Sequence, residues 1–223
     1  MCEIDEAVTV EDVHQYVRAQ LGGVEEGDGL SARTRALINL AVHVSPATLA
    51  MKGSEHFMRM ALAEGSTVEQ VHEVLLLVSG LGVHTLMAGT TLMGRLLRQW
   101  GDPMMSSALD ARKLALVQKY VGDDPYWDTV EQAFPGFIDS LLRLSSEGFE
   151  AFFVYCAVPW KGGALRGLTK ELISVAVDAT PSHRFMPGIR LHVSNALKLG
   201  AGRKALLQAL EIAANSPVHP GVH

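Results

Sequence analysis

Sulfur, positive charge and unbroken apolar runs are all scarce in this sequence, and each shortage removes a class of function. Only Cys2 and Cys156 occur, far apart and with no Cys-x-x-Cys, which excludes a disulfide framework, a thiolate zinc site and a dithiol redox centre. Nineteen lysines and arginines face 24 acids, a formal charge of −5 with no basic cluster. The footprint that phosphate backbones or anionic membrane surfaces require is missing, so neither nucleic acid nor membrane is an expected partner. No His-Glu-x-x-His occurs, and the one His-x-x-x-His, His219 to His223, holds Pro220 and Gly221 and is not a helical pair. A metal would need ligands from several helices, and no metal or cofactor is expected. The opening Met1-Cys2-Glu3-Ile4-Asp5-Glu6 carries acids where an export signal has a basic stretch, so the cytoplasm is the expected compartment. The most apolar stretch, Val71 to Met93, is interrupted by His72, Glu73, His84 and glycines and is expected to form buried helices. Period-two alternation of β-branched residues is absent, which argues against strands.

What is present is helical spacing in a chain that is 48% apolar, ample for a core. Thr9 is placed to cap a first helix through Val13, Tyr16, Val17 and Leu21, and Ser31 a second through Leu37, Ile38 and Ala41. A third is expected to end near Gly65, and Thr67 with Gln70 forms a capping box for the next. A further helix is expected to run to Trp100, and one helix to connect Gly101-Asp102-Pro103 with Gly122-Asp123-Asp124-Pro125. One long helix is expected from about Gly136 to Val158, followed by a loop at Pro159-Trp160-Lys161-Gly162-Gly163. Helices over Thr169–Ala179, Gly188–Leu199 and Arg203–Asn215 complete an all-α reading.

Sliding the chain by 135 positions lays 30–87 over 165–222 without a gap. Identities include Thr34/Thr169, Leu37/Leu172, Ile38/Ile173, Pro46/Pro181, Gly53/Gly188, Gly65/Gly200 and His84/His219. The pattern reads as a duplicated three-helix unit: 1–100 as an N-terminal unit with a leading helix, 101–160 as a helical linker and 161–223 as a C-terminal unit.

Both copies carry Leu-x-x-x-Thr-x-x-Leu-Ile-x-x-Ala-Val, at 30–42 and 165–177, and then Ala-Leu-x-x-Gly at 61–65 and 196–200. In this order the chain resembles the carboxymuconolactone decarboxylase and AhpD-like alkylhydroperoxidase family. The resemblance implies units paired by pseudo-twofold symmetry, a homo-oligomer (trimer or hexamer) and sites between helices. The family's peroxidase branch carries Cys-x-x-Cys-x-x-x-His. The dithiol positions here are Ala50 and Gly53 in the first copy and Phe185 and Gly188 in the second, so that chemistry lacks both sulfurs. The decarboxylase branch keeps a His four residues before the Ala of Ala-Leu-x-x-Gly and a Glu just before the Leu-Ile pair. These match His192 and Glu171, whereas the first copy has Phe57 and Ala36, so the resemblance implies one active copy per chain. The segment between Glu171 and His192 is about two residues longer than the family's usual spacing, and the first copy shares that length.

By residue chemistry alone, His192 is either a core histidine or a general acid/base, and Glu171 either a carboxylate favouring a helix N-terminus or its partner acid. His183, in the loop that replaces the dithiol segment, is a further catalytic candidate. Arg190 is either a surface ion-pair residue or a fork for a substrate carboxylate. Trp160 either seals a helix junction or covers a pocket. His219, structural by its equivalence to His84, completes the substrate-binding candidates. The expected function is a cofactor-independent lyase or isomerase acting on a small lactone or keto acid. The alternatives are a non-catalytic helical oligomer or small-molecule binding protein and, behind these, an alkylhydroperoxidase-type antioxidant.

Overall fold

The computed structural model describes residues 7–221, all helix and connection with no strand among them. The acidic opening with Cys2, and His223, lie outside the described residues. By packing, the chain divides into two compact units. One joins the residues up to Ser79 to those from Gly162 onward, and the other is Gly80–Lys161. The second repeat copy and the first as far as Ser79 therefore fold into the first unit, while the segment expected as a linker, extended back to Gly80, forms the second.

The first unit holds α1 (Val10–Gln20), α2 (Ala32–Val44), α3 (Met51–Ala63) and α4 (Val68–Ser79). The second holds α5 (Val83–Gln99), α6 (Ala111–Tyr120), α7 (Tyr126–Ala133), α8 (Phe137–Leu144) and α9 (Ser146–Lys161). The chain then returns to the first unit with α10 (Gly167–Asp178), α11 (Met186–Lys198) and α12 (Arg203–Ala214). Local chemistry sets several starts. Thr9 and Asp12 form a reciprocal capping box, and the Ser31 hydroxyl accepts the Thr34 N–H. Thr67 and Gln70 exchange bonds of 3.1 and 3.2 Å.

The copies match at the backbone. α2, α3 and α4 begin 135 positions before α10, α11 and α12. Leu49 and Arg184, also 135 apart, both take positive φ, 40° and 46°, and Gly65 and Gly200 sit at 84° and 86°. A left-handed Leu or Arg costs of order 1–3 kcal/mol, and the same turn holds each in place. The Ala50 N–H donates to the His43 carbonyl at 2.8 Å, and the Phe185 N–H to that of Asp178 at 2.9 Å. The core is built where α2 and α10 pack together with α4 and α12, burying Leu37, Ile38, Leu40, Leu172, Ile173, Leu206 and Leu210.

The third helix of each copy caps the first helix of the other. Gln208 of α12 accepts the Leu30 N–H at 2.7 Å, and at the equivalent place Glu73 of α4 accepts that of Leu165. Glu73 differs in being charged, and it pairs with Lys170 of α10 at 3.1 Å with both side chains at most 5% exposed. Lys170 also donates to the Gly162 carbonyl at 2.7 Å. The acid that interrupts the apolar run in sequence is thus half of a buried ion pair.

In the second unit α8 packs on α5 and α9, and α6 on α9. Gly94 permits the α5–α8 contact, since a Cβ there would meet the Ser140 hydroxyl at 2.0 Å. Aromatic rings fill the remainder, with Phe153 stacked on Tyr120 at 5.4 Å and edge-on to Trp127 at 4.6 Å.

Three sequence expectations need correction. The long helix over 136–158 is broken at Ser145, whose extended backbone ends α8 and whose hydroxyl accepts the Gly148 N–H to start α9. The supposed loop at Pro159 is helical as far as Lys161. By length and hydropathy Val68–Gln99 is apolar enough to cross a membrane, and only 17% of its most apolar window is buried. Burial holds for α4, whereas α5 buries only Thr90 and Gly94 and exposes Leu86, Leu92 and Met93.

Candidate active site

α10 and α11 are antiparallel neighbours joined by the tight turn at 179–185, which takes up the additional length between Glu171 and His192. The two side chains meet. Glu171 Oε2 lies 2.7 Å from His192 Nδ1, with side-chain exposures of 7% and 14%. The other carboxylate oxygen accepts the Asn195 amide at 3.2 Å. His192 and Asn195 are three residues apart and so share a face of α11. Because α10 begins at Gly167, Glu171 stands beyond its first turn, and the bond to His192 rather than the helix terminus holds it. Burial alone would lower the His192 pKa. The Glu171 hydrogen bond, with the charges of Asp178 and Glu171, outweighs that and holds it above the ordinary histidine value.

Asp178 is a member of the cluster that sequence reasoning missed. It lies two turns beyond Glu171 on the same face of α10 and is 2% exposed. Its signal was a lone acid ending an apolar run, seven residues after Glu171. Burial pushes its carboxyl up to about 7, against a smaller opposing effect of the His192 charge. At pH 3 folded and unfolded chains both hold the proton. Between about 4 and 7 only the unfolded chain releases it, so this group's contribution to stability falls as pH rises, by up to roughly 4 kcal/mol. Asp178→Asn should therefore gain stability over the wild type across that window, as read by melting curves at pH 4 and pH 7.

His183 sits beside this group, its Nε2 at 3.7 Å from Asp178 Oδ1 and its ring stacked on Phe185 at 5.5 Å. Burial lowers its pKa and favours the neutral ring. Arg190 and His219, of the same unit, stand apart from the pair. Arg190 is exposed, with its guanidinium 5.8 Å from the Tyr16 ring centre, on the side of α11 away from His192. Trp160 belongs to α9 of the second unit and is 42% exposed. His219 lies in the exposed tail after α12, where its Nδ1 accepts the Gly221 N–H at 2.9 Å; His84 is part of helix α5, so the two are not structural equivalents. A surface cavity of about 620 Å³ among Thr91, Leu92, Arg95, Arg98 and Pro135 contains none of the expected residues. Arg98 there is neutralised by Asp139 at 2.6 Å.

Cys156 is a half-buried thiol on α9, pushed up to about 11 by burial, so it is not a thiolate at neutral pH. Cys156→Ser is expected to leave any peroxide consumption unchanged in a coupled assay. A loss of activity would revive the antioxidant reading.

The first copy shows what the same frame does without these groups. Ala36 and Phe57 replace Glu171 and His192, and His43 stands where Asp178 does, its ring 4.7 Å from that of Phe57. No protein-family model matches the chain, and no curated protein does. A solved structure does match, with a TM-score of 0.69 at 30% identity, covering 94% of this chain and 84% of the other. It is a protein of Burkholderia xenovorans LB400 provisionally described as a gamma-carboxymuconolactone decarboxylase subunit. Taken with the buried Glu171–His192 pair and the helix order, this likeness shows that the chain belongs to the carboxymuconolactone decarboxylase and AhpD-like family.

Proposed function

We propose that the protein is a cofactor-independent lyase or isomerase acting on a small lactone or keto acid, with Glu171 and His192 as its acid–base centre. The observation that carries this reading is the 2.7 Å contact between two buried groups of opposite proton demand. The imidazole donates its Nδ1 proton to the Glu171 carboxylate, so proton exchange with a substrate runs through Nε2. In a decarboxylation the bond to the departing carboxylate breaks. Its electron pair moves onto an adjacent carbonyl or double bond, CO2 leaves, and His192 returns a proton to the carbon. An isomerisation uses the same group to remove a proton and return it elsewhere. Neither sequence of steps requires a metal. We place the protein in the cytoplasm and as a homo-oligomer, trimer or hexamer. The apolar side chains that α5 and α9 expose, among them Leu92, Met93, Val154 and Val158, support the latter.

The test is turnover of a carboxylated lactone. His192→Ala should lower it by about 10²–10⁴-fold, and His56→Ala, on the exposed side of α3, should hardly change it. Equal effects of the two substitutions would remove the acid–base assignment and leave a binding protein.

A further inference from the structure

We infer that Asp178 is a positioning residue for the His192 imidazole, and that Gly188 is the device that admits it. The carboxyl lies in a notch of α11 one turn before His192, so two carboxyls of a single helix flank the ring. The inference rests on reading Glu171 and His192 as the centre, and it adds a group that the family motif does not contain.

Geometry carries it first. A β-carbon at position 188 would lie 2.0 Å from Asp178 Oδ2, so the carboxyl occupies the volume that any other residue's side chain would need. Gly188, His192 and Asn195 follow at i, i+4 and i+7 along one face of α11, and Glu171 and Asp178 at i and i+7 along the facing side of α10. With the helices antiparallel, Asp178 meets α11 at Gly188, before the imidazole, and Glu171 meets it at Asn195, beyond the imidazole.

The first copy supplies the control for packing. Gly53 makes the same notch, and the His43 ring fills it, its Cδ2 at 2.2 Å from where a β-carbon would stand. That ring bonds its own helix at the Asn39 carbonyl, 2.8 Å away, and lies tilted against the Phe57 ring. The fold thus accepts an imidazole ring at this place. A buried carboxyl is the more expensive occupant and is not required to fill the space. What Asp178 has and His43 lacks is a titratable neighbour on α11, and its charge reaches His192.

Within this unit Glu171 and Asp178 of α10 are the charged groups that act on the ring, Glu171 by direct contact at 2.7 Å, and Asn195 of its own helix bonds Glu171. His183 faces Asp178, and Arg190 turns toward Tyr16 of α1. The experiment is an NMR titration of the His192 ring in the full chain labelled at histidine. In Asp178→Asn, which keeps the shape and removes the charge, the His192 midpoint should move downward. In Gly188→Ala, which keeps the charge and displaces the carboxyl, it should move the same way, while Gly53→Ala should leave it in place. If Asp178→Asn does not fold, Gly188→Ala decides. A midpoint unmoved in both second-copy variants, or moved equally by Gly53→Ala, overturns the role of Asp178 and leaves the lyase reading standing. Failure of the wild type to turn over any carboxylated lactone would do the reverse.

Discussion

Glu171→Gln is expected to lower turnover by about 10²–10⁴-fold while costing only about 1–3 kcal/mol of stability. The size of the first effect comes from hydrogen-bond polarity. Oε1 of Glu171 receives a donor from Asn195 at 3.2 Å, and Oε2 faces His192 Nδ1 at 2.7 Å. A carboxylate accepts on both sides; an amide accepts on one only. If the new amide turns its oxygen to Asn195, its NH2 faces Nδ1, and the imidazole must accept there and carry its proton on Nε2, the wrong tautomer for a base. If it turns the other way, two NH2 groups meet at Asn195. Either arrangement also removes the negative charge that holds the His192 pKa up. The loss should fall on kcat more than on KM, because the shape of the site is kept. A matching loss in KM alone would mean that Glu171 binds substrate and does not serve His192.

The second large effect concerns stability and centres on Lys170, the residue just before Glu171. Glu73→Gln is expected to destabilise the first unit by about 3–5 kcal/mol, since it removes the carboxylate that pairs with the buried Lys170 ammonium. A domain's whole stability is of order 5–15 kcal/mol, so the variant should melt far below the wild type. The repeat supplies the rescue. Gln208, the counterpart of Glu73, accepts the Leu30 N–H through a neutral amide, so the amide introduced by Glu73→Gln can still accept that of Leu165. Adding Lys170→Met should therefore recover most of the loss, as read by denaturant midpoints of the single and double variants. No recovery would show that the cost lies in the cap and not in the lost ion pair.

Local chemistry made much of the fold legible. The caps at Thr9, Ser31 and Thr67 act within three residues, and the repeat placed the helices of the second copy by those of the first. The break at Ser145 was also local, a hydroxyl three residues before Gly148, but the abundance of apolar residues on both sides of it concealed the interruption. The Lys170–Glu73 pair was invisible because its partners are brought together only by the crossing of the two copies. Glu171 and His192 were picked out by resemblance and by their joint absence from the first copy, while Asp178 had no local pattern to mark it. The exposure of α5 was likewise not readable, because an apolar run states that a helix needs cover and does not state what supplies it.

The account stands on the Glu171 contact holding the His192 ring as an acid–base group, and a 15N titration of the His192 ring in wild type and in Glu171→Gln measures this directly. The predicted wild-type midpoint lies above that of free histidine, with Nδ1 protonated on both sides of it, and it falls when the carboxylate becomes an amide. A wild-type midpoint at or below the free value, unaltered in Glu171→Gln, would contradict it.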